Sequence, residues 1–250
     1  DHRDLHLSIR RQRQMCIRDR SLILNKKQGN EFSLEYSTDE SKLVLIPPGL
    51  SSSWKKPVEG SDLRSQLNLN DSSTLLLFVG SDYQRKGLDR SIKALSNCLN
   101  EGNEDIYLIV AGDDKEKQFL NLAQNLGAGN KVIFLGPRDD IAEIMSSCDL
   151  LIHPAREEAA GNVIIESLVS ELPVITSEQV GFASYVKEYE AGIVIPEPFD
   201  QEDLNASLIS MIDDTELNSF SVRLSGLRKD NFFFSRFEFV GDLVEKTLYE

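Results

Sequence analysis

The run TLLLFVGSDYQRKGLDRSIKAL, residues 74–95, decides the fold. Its first six residues, Thr74–Val79, are apolar at nearly every position. A strand that reads apolar without alternation is covered on both faces, as strands of a parallel sheet between helical layers are. The run stops at Gly80, crosses a polar turn to Gly87, and resumes with Leu88, Ile92, Leu95 and Leu99 on one helical stripe. Strand, glycine-bounded turn and amphipathic helix, in that order, form the first half of a βαβ unit.

The same alternation continues outward. Strands are expected at Leu43–Ile46, Thr74–Val79, Ile106–Ala111, Val132–Leu135, Leu150–His153, Val174–Thr176 and Gly192–Ile195. Helices are expected at Leu88–Leu99, Lys115–Leu126, Ile141–Ser147, Asn162–Ser170 and Gln201–Ile212. This order predicts an α/β fold with a doubly wound, parallel, Rossmann-like sheet. No repeat of fixed period interrupts it. The tail, Glu216–Glu250, reads as one or two helices with no further strand. It is unusually aromatic, with Phe232, Phe233, Phe234, Phe237 and Phe239. Such a tail either packs on its own domain or covers a surface elsewhere.

Composition narrows the class. The chain has 250 residues, 40% hydrophobic and 27% charged, which suits one or two domains with a packed core and excludes disordered and fibrous classes. No apolar run approaches the ~18–20 residues that cross a bilayer. Cys16, Cys98 and Cys148 are odd in number, far apart and without a CxxC pair, which argues against a disulfide framework or zinc site. Cys98 and Cys148 fall in helical patterns and read as buried and inert. A reducing, cytoplasmic compartment follows.

The net charge of −14 is unevenly spread: +5 over residues 1–27 and −19 over residues 28–250. An acidic body is a poor nucleic-acid partner, because that binding is dominated by phosphate neutralisation. Residues 1–27 read as a separate basic arm, non-native or disordered. Arg10, Arg11, Arg13, Arg18 and Arg20 follow no helical or strand period. Leu5–Ile9 is too short and too mixed for the apolar core of a secretory signal.

In an open α/β sheet, ligands bind beyond the C-terminal ends of the strands. Three loops there carry candidate chemistry. The first, residues 80–87, offers Gly80 for close backbone approach and Arg85 and Lys86 as paired cations beside a helix N-terminus. That suits a diphosphate, although an exposed basic turn would look the same. It matches neither the P-loop nor the GxGxxG pattern, which disfavours a nicotinamide-dependent oxidoreductase. The second, residues 154–162, leads into a helix at Asn162. Glu158 and Glu166 flank that helix start, whose free N–H groups suit phosphate or sugar oxygens while the carboxylates suit sugar hydroxyls. A capping acid plus a surface Glu is the plain alternative. The third, residues 136–140, has Asp139 or Asp140 as N-cap and Arg138, whose planar guanidinium can stack on a base. The Asp pairs read as caps or turns rather than metal sites. His153 ends an apolar strand and reads as a structural histidine bonded to backbone; without a second credible His, a Ser–His–Asp triad has little support.

Together these loops resemble the family-4 retaining glycosyltransferases. The carriers are the acidic signature Glu-Ala-Ala-Gly-Asn-Val-Ile-Ile-Glu (158–166), the GSDYQRKGLDRSIKAL loop and helix, LIVAGDD, VIFLGPRDDIAEIMSSCDLLIHPA and ELPVITSEQVGFASYV, in order. The resemblance covers Tyr36 to Leu248. The EAAG wording of the signature, GSD in place of Gly-Arg, and IPPGL are most similar to members that glucosylate the lipopolysaccharide core. The resemblance implies the C-terminal domain of a GT-B fold with a helical C-terminal tail. It divides the chain into the arm (1–27), a remnant of the N-terminal acceptor domain (28–47), a nucleotide-sugar donor domain (48–230) and a crossover helix (231–250).

The implied activity is transfer of a hexose, glucose, from a UDP-sugar to a lipopolysaccharide core or similar glycan with retention of configuration. UDP-sugar is a co-substrate, and no cofactor or metal is implied. Glu158, Arg85 and Lys86 take the catalytic roles. The donor is held by Gly80, Ser81, Arg138, Ala159, Ala160, Gly161, Asn162, Val163 and Glu166. Ser81 departs from the Arg of many relatives and shifts weight onto Arg85 and Lys86. The glycan or glycolipid acceptor, and any contact with the inner face of the bacterial inner membrane, would lie on the N-terminal domain. A nucleotide-sugar binding fragment without turnover is the competing reading, and a GT-B epimerase a weaker one.

Overall fold

The computed structural model describes residues 20–55, 63–212 and 214–249. They fall into two compact units: residues up to Gly49 together with Phe232 onward, and Leu50–Asn231.

The first unit holds two short parallel strands, β1 (Ser21–Ile23) and β2 (Leu43–Leu45), joined through helix α1 (Lys26–Tyr36). Asn25 caps α1 by accepting the Gln28 N–H at 2.8 Å. The same unit contains the last helix, α10 (Arg236–Tyr249), whose Arg236 Nε donates to the Pro47 carbonyl at 2.9 Å. The arm expected over 1–27 needs correction at its end. Residues 1–19 lie outside the described residues, but Ser21–Ile23 is a strand and Lys26 begins a helix. A three-residue strand is too short to show a period, and Gly29 is the only buried residue of α1, so neither element has a strong sequence pattern.

The second unit is the expected α/β layer structure. Its strands are β3 (Thr74–Val79), β4 (Ile106–Ala111), β5 (Val132–Gly136), β6 (Leu150–His153), β7 (Val174–Ser177) and β8 (Gly192–Ile195). Before, between and after them run α2 (Leu63–Gln66), α3 (Leu88–Asn100), α4 (Lys117–Asn125), α5 (Ile141–Ser147), α6 (Asn162–Val169), α7 (Ala183–Glu188), α8 (Gln201–Met211) and α9 (Asp214–Leu224). The sheet order is β5-β4-β3-β6-β7-β8, parallel throughout. Four strands, β3, β4, β6 and β8, have the expected bounds; β5 and β7 each run one residue further. α2 and α7, at four and six residues, are too short for their periods to register.

Burial explains the unbroken apolar runs. Leu76, Phe78, Leu108, Val110, Leu150 and Ile152 pack in one core with Leu88, Ile92 and Leu95 of α3, Phe119 and Ala123 of α4, and Leu204, Leu208 and Met211 of α8. Leu75, Leu77, Ile109 and Leu151 alternate with them and are equally buried. Arg64 of α2 ties down the N-terminal ends of the central strands. It donates to the Ser73 carbonyl at 3.0 Å, the Ser147 carbonyl at 2.7 Å and Asp149 Oδ2 at 2.6 Å, while Asp149 accepts the Leu75 N–H at 2.7 Å. The opposite, C-terminal ends of β3 and β6 meet where the strand order reverses. That switch point is the crevice in which doubly wound sheets bind ligands.

The tail is helical, as expected, and its aromatics divide: Phe233 is fully buried, whereas Phe237 stays 80% exposed. Cys98 and Cys148 are buried free thiols, and burial pushes Cys98 up to about 12 and Cys148 further. Among the described residues, no helix is long and apolar enough to cross a membrane.

Candidate functional site

The loops after β3 and β6 touch at the switch point. Gly87 adopts φ +81°, and a Cβ there would lie 2.2 Å from the Pro154 carbonyl oxygen, so only glycine lets the two loops close to this distance. Tyr83 roots the first loop in the core. It is fully buried, its hydroxyl donates to the Gly112 carbonyl at 3.0 Å, and its N–H donates to Asp114 Oδ2 at 2.8 Å. Burial pushes its phenol up to about 12, with the nearby Glu116, Asp114 and Asp113 charges adding to it.

This rooted turn presents two cations inward. Lys86 folds back over Gly80, and its Nζ lies 3.2 Å from Glu158 Oε2. Arg85 Nη1 lies 3.2 Å from the same oxygen and donates to the Glu157 carbonyl at 2.8 Å, while its Nε donates to Asp82 Oδ2 at 2.7 Å. The hydrogen bond to Asp82, with Glu158 beside it, raises the Arg85 pKa against the pull of burial. Ser81 faces the neighbouring loop, where its Oγ accepts the Asp113 N–H at 3.4 Å.

Glu158 is placed from the other side by the loop after β7. Its N–H donates to Gln179 O at 3.4 Å, and its carbonyl accepts the Gly181 N–H at 2.9 Å. Ala160 O accepts the Phe182 N–H at 2.8 Å. Gly161 then stands at the N-cap of α6 in the left-handed region, where a Cβ would lie 2.4 Å from Val180 Cγ1. The first turn of α6 has no side-chain cap, which leaves its amide ends directed at the crevice. Around it Ala159 and Asn162 are exposed, Ala160 half-buried, and the Val163 side chain buried.

Glu166, one turn into α6, is half-buried, and among the described residues no hydrogen bond reaches its carboxylate. Burial pushes its pKa up, and the Lys86 charge pulls it part of the way back. An under-partnered carboxylate beside a cation is an acceptor for hydroxyl donors.

The structure therefore brings together Gly80, Arg85, Lys86, Glu158, Gly161 and Glu166. Arg138 is not joined to them. It follows β5, two strands away from β3, and its guanidinium grips Asp140 through Nε at 2.7 Å and through Nη2. Two expectations change here. Asp140 stands at the N-cap position of α5 but makes no side-chain cap, because its carboxylate serves Arg138 instead. His153 is fully buried but not bonded to backbone: among the described residues, neither ring nitrogen has a hydrogen-bond partner. Burial, with the Lys86 and Arg85 charges, holds its pKa down to about 3, so the ring stays neutral.

Sequence reasoning missed two braces. Arg156 makes a bidentate pair with Asp89 at 2.8 and 2.7 Å and donates to Gln84 O at 2.6 Å, which stitches the second loop to the first. Its place inside the second anticipated loop is the only signal the sequence offers. The Gln179–Phe182 brace has no local signal, since backbone pairing between loops depends on the fold. Among the described residues, no three His, Cys, Asp or Glu side chains form a metal cluster.

A parallel α/β layer structure of this kind has known counterparts. The profile of the glycosyl transferases group 1 family matches residues 61–220. The chain belongs to that family. It is 39% identical over 191 residues to the lipopolysaccharide glucosyltransferase WaaG of Escherichia coli (strain K12), covering 75% of this chain and 51% of that protein. A D-inositol 3-phosphate glycosyltransferase of Nocardia farcinica is 24% identical over 186 residues, 71% of this chain and 41% of the other. The crystal structure of WaaG superposes with a TM-score of 0.81 at 33% identity, covering 89% of this chain and 61% of that one. Anabaena Alr3699/HepE, solved with UDP-glucose, shares the fold at a TM-score of 0.75 and 21% identity, over 92% and 64% of the two chains. The fold is thus that of GT-B glycosyltransferases. The chain spans about half the length of the curated relatives it matches.

Proposed function

We propose that residues around the β3–β6 switch point bind a UDP-sugar and that the protein transfers its hexose, glucose, to a lipopolysaccharide core or similar glycan. The carrying observation is the convergence of Arg85 and Lys86 on one carboxylate, 3.2 Å from each, with the unpartnered Glu166 beside them. WaaG, a lipopolysaccharide glucosyltransferase by name, and the neighbours solved with UDP and UDP-glucose support the choice of donor and acceptor class.

In this reading Arg85 and Lys86 neutralise the diphosphate and the charge that grows on it as the glycosidic bond breaks. Removing one such donor typically costs ~10²–10³ in turnover. Glu166 accepts the ribose hydroxyls, Glu158 accepts hydroxyls of the sugar, and amides from Ala159 to Val163, with Gly80 and Ser81, line the path of the phosphates and sugar. Asn162, exposed at the start of α6, adds a side-chain partner. Arg138 flanks the uracil once it leaves Asp140. The acceptor hydroxyl attacks the anomeric carbon from the face that the phosphate leaves. Its oxygen bonds to that carbon as the carbon–phosphate-oxygen bond breaks, and its proton passes to the departing phosphate oxygen, so configuration is retained. No metal takes part. The acceptor approaches from the part of the relatives that this chain does not span, and transfer takes place on the cytoplasmic side of the inner membrane.

Calorimetric titration of UDP and UDP-glucose, with and without EDTA, tests this. Binding is expected to be indifferent to EDTA and to fall at least tenfold in Arg85→Ala/Lys86→Ala. Equal binding by that variant, or binding abolished by EDTA, contradicts the assignment.

A further inference from the structure

Arg85 and Lys86 already have a counter-ion. One oxygen of Glu158 stands 3.2 Å from each, and the Glu158 and Lys86 side chains are both only 17% exposed. Asp82 pairs with Arg85 at 2.7 Å, but from a position 54% exposed. The Glu158 backbone is held by Gln179 and Gly181, so its side chain can swing without moving the loop. A bound diphosphate and the Glu158 carboxylate would therefore compete for the same two cations.

We infer that Glu158 sets the preference of this site for an intact nucleotide sugar over the free nucleotide, by serving as counter-ion to Arg85 and Lys86 until a donor displaces it. The inference rests on the donor reading above. A free nucleoside diphosphate takes both cations from Glu158 and offers nothing in exchange. A mostly buried carboxylate stripped of its partners is unfavourable, and that penalty is charged against the spent nucleotide. A nucleotide sugar brings hydroxyl donors to the place where the displaced carboxylate lies, and restores its hydrogen bonds. The same carboxylate thus weakens product binding and favours exchange for fresh donor.

The test is calorimetry on the full chain with pyrophosphate, UDP and UDP-glucose, comparing wild type with Glu158→Gln and Asp82→Asn, each checked for an unchanged melting temperature. Glu158→Gln is expected to bind pyrophosphate and UDP about tenfold more tightly, because the amide leaves the cations free. UDP-glucose should gain no affinity, so its advantage over UDP shrinks. Asp82→Asn removes a nearby charge and should leave that advantage as in wild type. If wild type binds UDP and Glu158→Gln binds it no more tightly, the counter-ion role is overturned and the donor reading stands. If both variants shift the advantage equally, the effect is one of net charge and the inference also fails. If no protein of the three binds a uridine nucleotide, the donor reading falls and takes the inference with it.

Discussion

Glu158 and Glu166 stand eight positions apart and look equivalent in the sequence, yet their surroundings differ. Glu158 has two cations, whereas Glu166 has burial and only the field of Lys86. Because burial raises the Glu166 pKa, its ionised form detracts from stability above that pKa, and the penalty disappears as the pH falls through it. Glu166→Gln is therefore expected to melt higher than wild type at pH 7, with the gap closing toward pH 4. A melting temperature at pH 7 equal to or below wild type would show that the carboxylate is already satisfied. The same variant should lose UDP affinity by roughly tenfold, the usual effect of removing one charged hydrogen-bond acceptor. Stability and binding moving in opposite directions is the mark of a group kept for a ligand. Arg138 was legible as a basic side chain in a ligand-facing loop. Its capture by Asp140, two residues on, is equally local, but an acid just before a helical pattern predicts an N-cap instead.

At the scale of elements, the strands were the most legible part. Each central strand is covered on both faces, so its burial is written into consecutive residues. Helices long enough to show a stripe, α3 and α4 among them, were legible for the same reason. The meeting of the β3 and β6 loops was not, because it joins residues 67 positions apart in the case of Gly87 and Pro154. Gly87 makes a sharp prediction there. Alanine combines a left-handed φ of +81° with a methyl 2.2 Å from a backbone oxygen, neither of which a flexible side chain can relieve. Gly87→Ala should lower unfolding free energy by on the order of 2–3 kcal/mol and weaken UDP binding, as read by urea denaturation and calorimetry. Unchanged stability would mean that the loops separate freely and that the cations are not held as described.

At the scale of the whole molecule, an acidic chain of net charge −14 carries a small cationic centre that is already neutralised by its own carboxylates. His153 lies under this centre, fully buried and, among the described residues, without a hydrogen-bond partner. Its folded-state pKa of about 3 lies below the ordinary 6.5, so between those values the unfolded chain takes up a proton that the native protein refuses. Stability therefore rises with pH across that window and is full above it. From pH 7 to pH 4.5, wild type should lose on the order of 2–3 kcal/mol more than His153→Phe in urea unfolding, and equal losses would show that the ring is protonated in the native state. The sequence by itself determined the alternation of strands and helices, the parallel class of the sheet and the loops that could meet a ligand. Those follow from apolar periodicity and turn chemistry, which act over a few residues. Only the tertiary structure decided that Glu158 neutralises Arg85 and Lys86, that Glu166 and His153 go unpartnered, that Arg156 and the Gln179–Phe182 loop brace the site, and that Arg138 stands apart. Charge pairing and desolvation depend on distances between residues far apart in the chain, which are set only when the sheet order β5-β4-β3-β6-β7-β8 brings those loops together.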